Sequence, residues 1–364
     1  MPPDGGGINT RILDLITDRA LDLQRFTAGQ RRDAARFLKE LEAEIAAQLA
    51  RIDPTGVARA SYRAKRLAAL LKQVRETIRA GYRSHGAELI GELRELAELE
   101  AAFAASSVNT AAGVHLMTDG MTRGQLSALL NGVLVQGAPV TEWWERQAGD
   151  TLQRFTDQMR LGLAQGETIG QLIRRVRGGT LNGEPVRGLM ATSRHHAETL
   201  VRSATQAVSQ RARQATYEAN AEVLKGVMWA STLDLRTTLG CAVRDKKLYS
   251  LPDRKPINHD LPWDNGPGQR HWGCRSTSAP VVKSWQELGF GIGELPEGTR
   301  AAMDGQVPAD TSFEAWLSKK SKAAQDEALG PGRADLWRAG RISFRDLVDG
   351  RGRELTLEQL RGRI

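Results

Sequence analysis

Aromatic residues make up only 5% of this 364-residue chain, and no tryptophan occurs before Trp143. A core must therefore be built mainly from Leu, Ala, Val and Ile, and the N-terminal third lacks large indole anchors. There are two cysteines, Cys241 and Cys274. That excludes a disulfide framework, and a chain this long buries enough surface not to need one. Long apolar runs are also missing. The longest uncharged stretches, residues 101–118 and 124–141, are interrupted by Ser106, Ser107 and Asn109 and by Gln125, Asn131 and Pro139, which is too polar for a membrane span. Residues 1–7 are rich in Pro and Gly and lack the basic-then-apolar order of a signal peptide, so synthesis in the cytoplasm is expected. No G-x-S-x-G, H-E-x-x-H or P-loop string occurs.

What is present is an ordinary globular composition, 40% hydrophobic and 26% charged, over a length suited to two or three domains. The formal net charge of +8 is unevenly spread. Residues 151–280 carry 19 Lys/Arg against 11 Asp/Glu, whereas residues 281–364 carry 13 of each. A basic segment of this kind suits a polyanion-binding surface; the plain alternative is an Arg-rich solvated face.

The pattern is predominantly helical. Phe37, Leu41, Ile45 and Leu49 recur at steps of four, and Leu67, Leu70, Leu71, Val74 and Ile78 follow a three-and-four spacing. Pro54 and Gly56 separate the two runs. Thr122-x-x-Gln125, Thr168-x-x-Gln171, Thr311-x-x-Glu314 and Thr356-x-x-Gln359 have the form of capping boxes that open helices. Residues 178–188 read as a loop. Residues 192–219 read as a helix whose small stripe, Ala197, Val201, Ala204, Val208, Ala212 and Ala215, admits close packing, with Arg194, Arg202, Arg211 and Arg213 off that stripe. A strand over residues 223–232 follows, and Val281 and Val282 suggest a short closing strand. Seven of the 13 prolines fall between Pro252 and Pro308, so loops dominate there. The expected fold is α+β, predominantly α-helical. It divides into an elongated helical assembly arm (1–140), a central mixed domain with short strands and a long Pro-rich loop (141–290), and a C-terminal loop and helical tail (291–364).

The chemistry-bearing segment runs from Trp229 to Ser276. Asp234-Leu235-Arg236-Thr237 is followed by Cys241, Asp245, Lys247 and Tyr249, then by His271-x-x-Cys274-Arg275-Ser276. Cys241, His271 and Cys274 are three ligand types that zinc accepts, but a structural zinc site uses four. The C-x-x-C partner position of Cys241 holds Thr238, a poor ligand; Asp234, Asp245 and His259 are candidates to complete the shell. Three readings stand open: a structural zinc, a metal-free knot with buried thiols and Asp234 paired to an arginine, and a disulfide. Trp263 and Trp272, lying among Arg254, Lys255, Arg270 and Arg275, are either base-stacking groups or small-core anchors.

The ordered set Trp229, Asp234, Arg236, Thr237, Cys241, Asp245, Lys247, Tyr249, His271, Cys274 and Arg275 resembles the phage Mu F-like domain of minor head (head morphogenesis) proteins. The resemblance covers roughly residues 148–285, and residues 313–357 resemble a tail extension of some members. Two departures stand out: Thr238 replaces a frequent Cys, and the turn after Cys241 is Asp245-Lys246 where Asp-Gly is common. The resemblance implies a structural, non-enzymatic protein of a tailed bacteriophage. Such a protein is assembled in the host cytoplasm, binds the portal and inner capsid as an oligomer during procapsid assembly, and resides in the virion head near the portal. Packaged double-stranded DNA is an implied further partner, with roles in packaging or ejection. Candidate phosphate contacts are Arg174, Arg175, Arg177, Arg194, Arg202, Arg211 and Arg213. No membrane partner and no cofactor beyond the candidate zinc are expected. The alternatives are a DNA-binding module and a metal-dependent nuclease, the latter suggested by Asn258-His259-Asp260.

Overall fold

A computed structural model describes residues 7–51, 60–118, 121–181, 183–288, 299–303, 305–308 and 311–363. Pro54 and Gly56 lie outside the described residues, as does the side chain of Leu67. Two long helices come first, α1 (Ile8–Ala50) and α2 (Ala60–Ala112). They are followed by α3 (Arg123–Asn131), the hairpin β1 (Leu134–Val135) and β2 (Ala138–Pro139), α4 (Val140–Ala164) and α5 (Ile169–Arg177). The hairpin β3 (Gly179–Leu181) and β4 (Glu184–Val186) leads into α6 (Leu189–Ala219). Next come β5 (Leu224–Ala230), the one-turn α7 (Leu239–Ala242), β6 (Leu248–Tyr249), β7 (Pro256–Ile257) and β8 (Thr277–Val282). The tail holds the hairpin β9 (Thr299–Ala302) and β10 (Gly305–Pro308), then α8 (Phe313–Ser318), α9 (Lys322–Leu329), α10 (Pro331–Arg338), a 3-10 turn and α11 (Leu357–Arg361). The class is α+β and predominantly helical. Among the described residues, no helix is long and apolar enough to cross a membrane.

By compactness the chain groups into two units that do not follow chain order. One comprises Met1–Gln24, Leu96–Asn131 and Gln206–Ile364; the other comprises Arg25–Glu95 and Gly132–Thr205.

The first unit is organised on an antiparallel sheet of order β7-β6-β5-β8. Its core gathers Ile12 and Ile16 of α1, Ala104 and Val108 of α2, Tyr217 of α6, and Val227, Trp229 and Tyr249 of the sheet. Asn9 closes the edge of β8: its side-chain oxygen accepts from the Val282 amide at 2.8 Å and its amide donates to the Val282 carbonyl. A second cluster joins Leu233, Leu239, Val243 and Leu261 to Phe313, Trp316, Leu317, Leu329, Phe344 and Leu347 of the tail. The tail is therefore part of this unit's core. Full burial of each such side chain contributes about 1.5–3 kcal/mol.

The second unit answers the lack of tryptophan in α1 and α2 by borrowing Trp144 from α4. Phe37 stacks on His85 at 4.9 Å, and Tyr82 and Trp144 meet at 5.4 Å. The Tyr82 hydroxyl shares a hydrogen bond with Thr151 Oγ1, which in turn meets Ser193 Oγ, each at 2.9 Å. Leu41, Ile45, Leu49, Val74 and Ile78 are buried, as their spacing predicts.

Three expectations need correction. Within the expected loop, Gly179–Leu181 and Glu184–Val186 pair as the β3–β4 hairpin, with Thr180 opposite Pro185; three-residue strands flanked by glycine carry too little alternation to be read. The cap of α8 is Ser312, whose Oγ accepts from the Ala315 amide at 3.1 Å, while Thr311 is buried. In the run Thr311-Ser312 either hydroxyl has the right chemistry, and the backbone register selects the second. The side of α6 off its small stripe is not solvated along its whole length: Arg213, Gln210, Gln214 and Thr216 are all buried.

Candidate metal centre

Cys241 lies in α7, which the turn after β5 introduces. Asp234 shapes that turn. Its Oδ1 accepts from the Arg236 amide at 3.0 Å and from Thr237 Oγ1 at 3.2 Å, and Thr237 Oγ1 also donates to the Thr232 carbonyl at 2.6 Å. Both Asp234 oxygens are held by the Arg275 guanidinium, one at 2.8 Å. The Asp–Arg pairing expected of these motifs is thus present, and it ties the start of the loop to the residue after Cys274. Asp245 closes the other end, accepting from the Ser231 amide at 2.8 Å and the Phe313 amide at 2.9 Å. Lys246, standing where Asp-Gly is common, takes a left-handed conformation, with φ of +64°. Trp229 and Tyr249 are fully buried, and Trp263 packs edge-on against them at 5.6 and 4.9 Å. Trp263 is therefore a core anchor, whereas Trp272 is 40% exposed.

The Pro-rich loop brings His271 and Cys274 back to Cys241. The two sulfurs are 3.8 Å apart, His271 Nε2 is 3.5 Å from Cys241 Sγ, and all three ligand atoms lie within 4.8 Å of one another. A tetrahedral zinc with bonds of about 2.3 Å to sulfur and 2.0–2.1 Å to nitrogen separates such atoms by about 3.8 Å and about 3.6 Å. The donor set fits the ion in kind, and the two separations to Cys241 Sγ match that geometry. His271 Nδ1 lies 3.0 Å from the Trp272 carbonyl. Donation there places the proton on Nδ1 and leaves the Nε2 lone pair facing the sulfurs, the tautomer a metal ligand needs. Thr238 Oγ1 stands 3.2 Å from His271 Nε2, so the residue at the missing cysteine position does face the cluster.

The electrostatics are those of two thiols sharing a proton. Cys241 donates toward Cys274, which, with backbone amides of Ser276 and Gly268, holds Cys274 down to about 6. The same bond, with burial, pushes Cys241 up, and the neighbouring Cys241 pulls His271 up. One thiolate is thus stabilised by fixed donors in a buried site.

The other proposed ligands are engaged elsewhere. Asp234 and Asp245 make the bonds described above. His259 Nε2 meets the Leu248 carbonyl at 2.8 Å, and Asp260 pairs with Arg345 at 2.6 Å. Of the candidate phosphate contacts, Arg213 and Arg175 are corrected by burial. Arg213 is bonded to Glu100 inside the core, and Arg175 is held by Glu167 at 2.6 Å. Arg194 pairs with Glu42 at 2.8 Å and Arg211 lies 3.8 Å from Glu218. Arg202 is half-buried, and Arg174 and Arg177 are exposed at the end of α5. Sequence reasoning missed Arg244, fully buried and bonded to the Gly240 and Pro262 carbonyls and to Asp264; Arg270, named only as a basic neighbour of the tryptophans, donates to the Gly352 carbonyl at 2.7 Å. An isolated arginine in a loop carries no local signal that it will be buried.

No curated protein and no solved structure matches the chain. Residues 153–279, from α4 into β8, match the model of a family described as phage Mu protein F like protein. Over this region, about a third of its length, the chain is similar to the phage Mu F-like family, which supports a phage head morphogenesis family.

Proposed function

We propose that the chain is a structural minor head protein of a tailed bacteriophage that binds the portal and inner capsid during procapsid assembly and remains in the head. The observation that carries this reading is the family match over residues 153–279. The fate of the motif residues supports a non-enzymatic role: Trp229 and Tyr249 fill the core, Asp234 holds Arg275, and Asp245 holds two backbone amides. In this reading Cys241, His271 and Cys274 hold a structural zinc, with the Thr238 hydroxyl, or a water it positions, in fourth place. The ion staples the Pro-rich loop to α7. Packaged DNA is a further partner, met through phosphates by exposed Arg174 and Arg177.

The test is co-expression of the tagged full chain with the portal protein of the same phage, followed by affinity capture and procapsid sedimentation. Co-sedimentation with portal or procapsids is expected; absence from both overturns the assignment. A plasmid-nicking assay with magnesium, manganese and zinc addresses the nuclease alternative, for which metal-dependent nicking abolished by His259→Ala or His271→Ala is the required result.

A further inference from the structure

The unit made of Arg25–Glu95 and Gly132–Thr205 carries a groove of about 640 Å³ between α2 and α4. Its floor is Trp144, laid across α2. The indole nitrogen donates to the Tyr82 carbonyl at 2.6 Å, and Gly86 makes room, since a Cβ there would stand 2.5 Å from the ring. Ala87 and Ile90 of α2 and Ala148, Gly149 and Leu152 of α4 form apolar walls. Arg79, Arg83 and Arg94 line the rim from α2, all exposed, and Glu145 lines it from α4. Arg79 lies 4.0 Å from Glu76.

Gly149 supplies a second, independent observation. It is exposed in the interior of α4, and a Cβ there would meet nothing within 4 Å. The packing of this chain does not require glycine at that position, although glycine is the poorest helix former after proline. A bare helix surface beside an apolar groove lets another backbone approach closely.

We infer that this groove is the docking site for an amphipathic helix of a partner polypeptide, its apolar stripe seated between α2 and α4 and its flanking carboxylates meeting Arg79, Arg83 and Arg94. The rim selects acidic flanks, because Arg79, Arg83 and Arg94 outnumber Glu145 among the lining residues and, with Glu76 beside Arg79, still leave a positive excess. The wall from Val140 to Leu152 is about 18 Å long at the helical rise per residue, the length of about three turns of a bound helix. The inference uses none of the residues of the Cys241–His271–Cys274 cluster and does not depend on the proposed role in the head.

The experiment is fluorescence anisotropy with the full-length chain. The probe is a labelled synthetic three-turn helical peptide with leucines on one face and glutamates flanking them; its comparator is the same peptide with every Glu replaced by Lys. The acidic peptide is expected to bind and the Lys peptide not. Arg83→Glu with Arg94→Glu is expected to weaken the acidic peptide roughly tenfold and to confer binding of the Lys peptide. Gly149→Leu is expected to weaken binding to the same extent while leaving the unfolding midpoint at or above that of the parent, which separates a filled groove from a damaged fold. Equal binding of both peptides, binding untouched by Gly149→Leu, or uptake of an apolar dye with neither peptide bound would each overturn the inference. So would a concentration-dependent dimer of the chain that Gly149→Leu dissociates, which would make a second copy the occupant.

Discussion

Replacing Glu100 by Gln removes the negative charge from the most deeply buried ion pair among the described residues. The Glu100 and Arg213 side chains both have 0% exposure. Glu100 accepts from Arg19 at 2.8 Å, from Ser209 at 3.0 Å and from Arg213, while Arg213 also donates to Thr277 Oγ1 at 3.1 Å. With glutamine in place, Arg213 is left as a buried cation with a neutral partner, and uncompensated buried charge costs about 3–5 kcal/mol. Against a total stability of about 5–15 kcal/mol that is a large share. Arg213→Met should cost less, about 1.5–3 kcal/mol, because Glu100 keeps Arg19 and Ser209. The combined Glu100→Leu, Arg213→Met chain should lie closest to the parent, since burying neither ion avoids desolvating both. Urea unfolding followed by tryptophan emission is the assay, as Trp229 lies fully buried in the same unit. If both single changes cost under about 1 kcal/mol, the value of an exposed pair, the reasoning about this core fails. The same variants test the corrected role of Arg213: its loss should lower stability and leave the salt dependence of DNA retention unchanged.

Three further outcomes are expected. Burial and the neighbouring Asp18 raise Asp14 from 3.8 to about 6, so the folded state holds the extra proton; that contribution is present below 3.8 and is lost as pH rises through about 6. Asp14→Asn should therefore raise the melting temperature at neutral pH and flatten its pH dependence in that window, and an unchanged profile would contradict it. Gly352 has φ of +72° and a Cβ there would stand 2.1 Å from Arg244 Nη2. Gly352→Ala should cost about 2–4 kcal/mol and open the tail to limited proteolysis, and equal protease resistance would count against the tail's place in the core. Elemental analysis should find one zinc per chain. Chelation should lower stability by about 3 kcal/mol relative to a hundredfold excess of metal over Kd, whereas a metal-free chain with an unmoved midpoint would assign the cluster to hydrogen-bonded thiols.

The parts of the fold that were legible in the sequence are those governed by near neighbours. The spacing of Phe37, Leu41, Ile45 and Leu49 marks a helix because each contact repeats one turn later, and Thr168 and Gln171 form their reciprocal cap within one turn. Lys246 stands where the family resemblance puts a glycine, and its left-handed backbone follows from that comparison, not from its own residue type. The hairpin at residues 179–186 was not legible, because strands this short are stabilised by cross-strand pairing and not by a pattern of their own. The candidate metal site was partly legible. His271-x-x-Cys274 lies within one turn of chain, but its closure on Cys241 spans a sequence separation of 30. Thr238 reads as a lost ligand from spacing alone, and only the folded turn reveals its hydroxyl beside His271.

Charge is where linear reading misleads most, for a physical reason. The excess of positive charge in residues 151–280 counts neighbours along the chain, whereas electrostatic fields cancel through space. Arg213 meets Glu100 across 113 positions, Arg194 meets Glu42 across 152, and Lys225 approaches Glu287, so three of the neutralising carboxylates lie outside the basic segment. Arg175, Arg244, Arg254 and Arg275 are held by carboxylates inside it. A helix as rich in arginine as α6 is consequently as much an internal strut as a polyanion surface, and its buried Gln210 plays the same part, bonding both Thr277 and Ser278 of β8. Any phosphate contact must be sought where guanidiniums are exposed. In the region similar to the Mu F-like family this moves attention from Arg213 and Arg175 to Arg174 and Arg177, whose substitution should reduce the salt dependence of DNA retention without unfolding the chain.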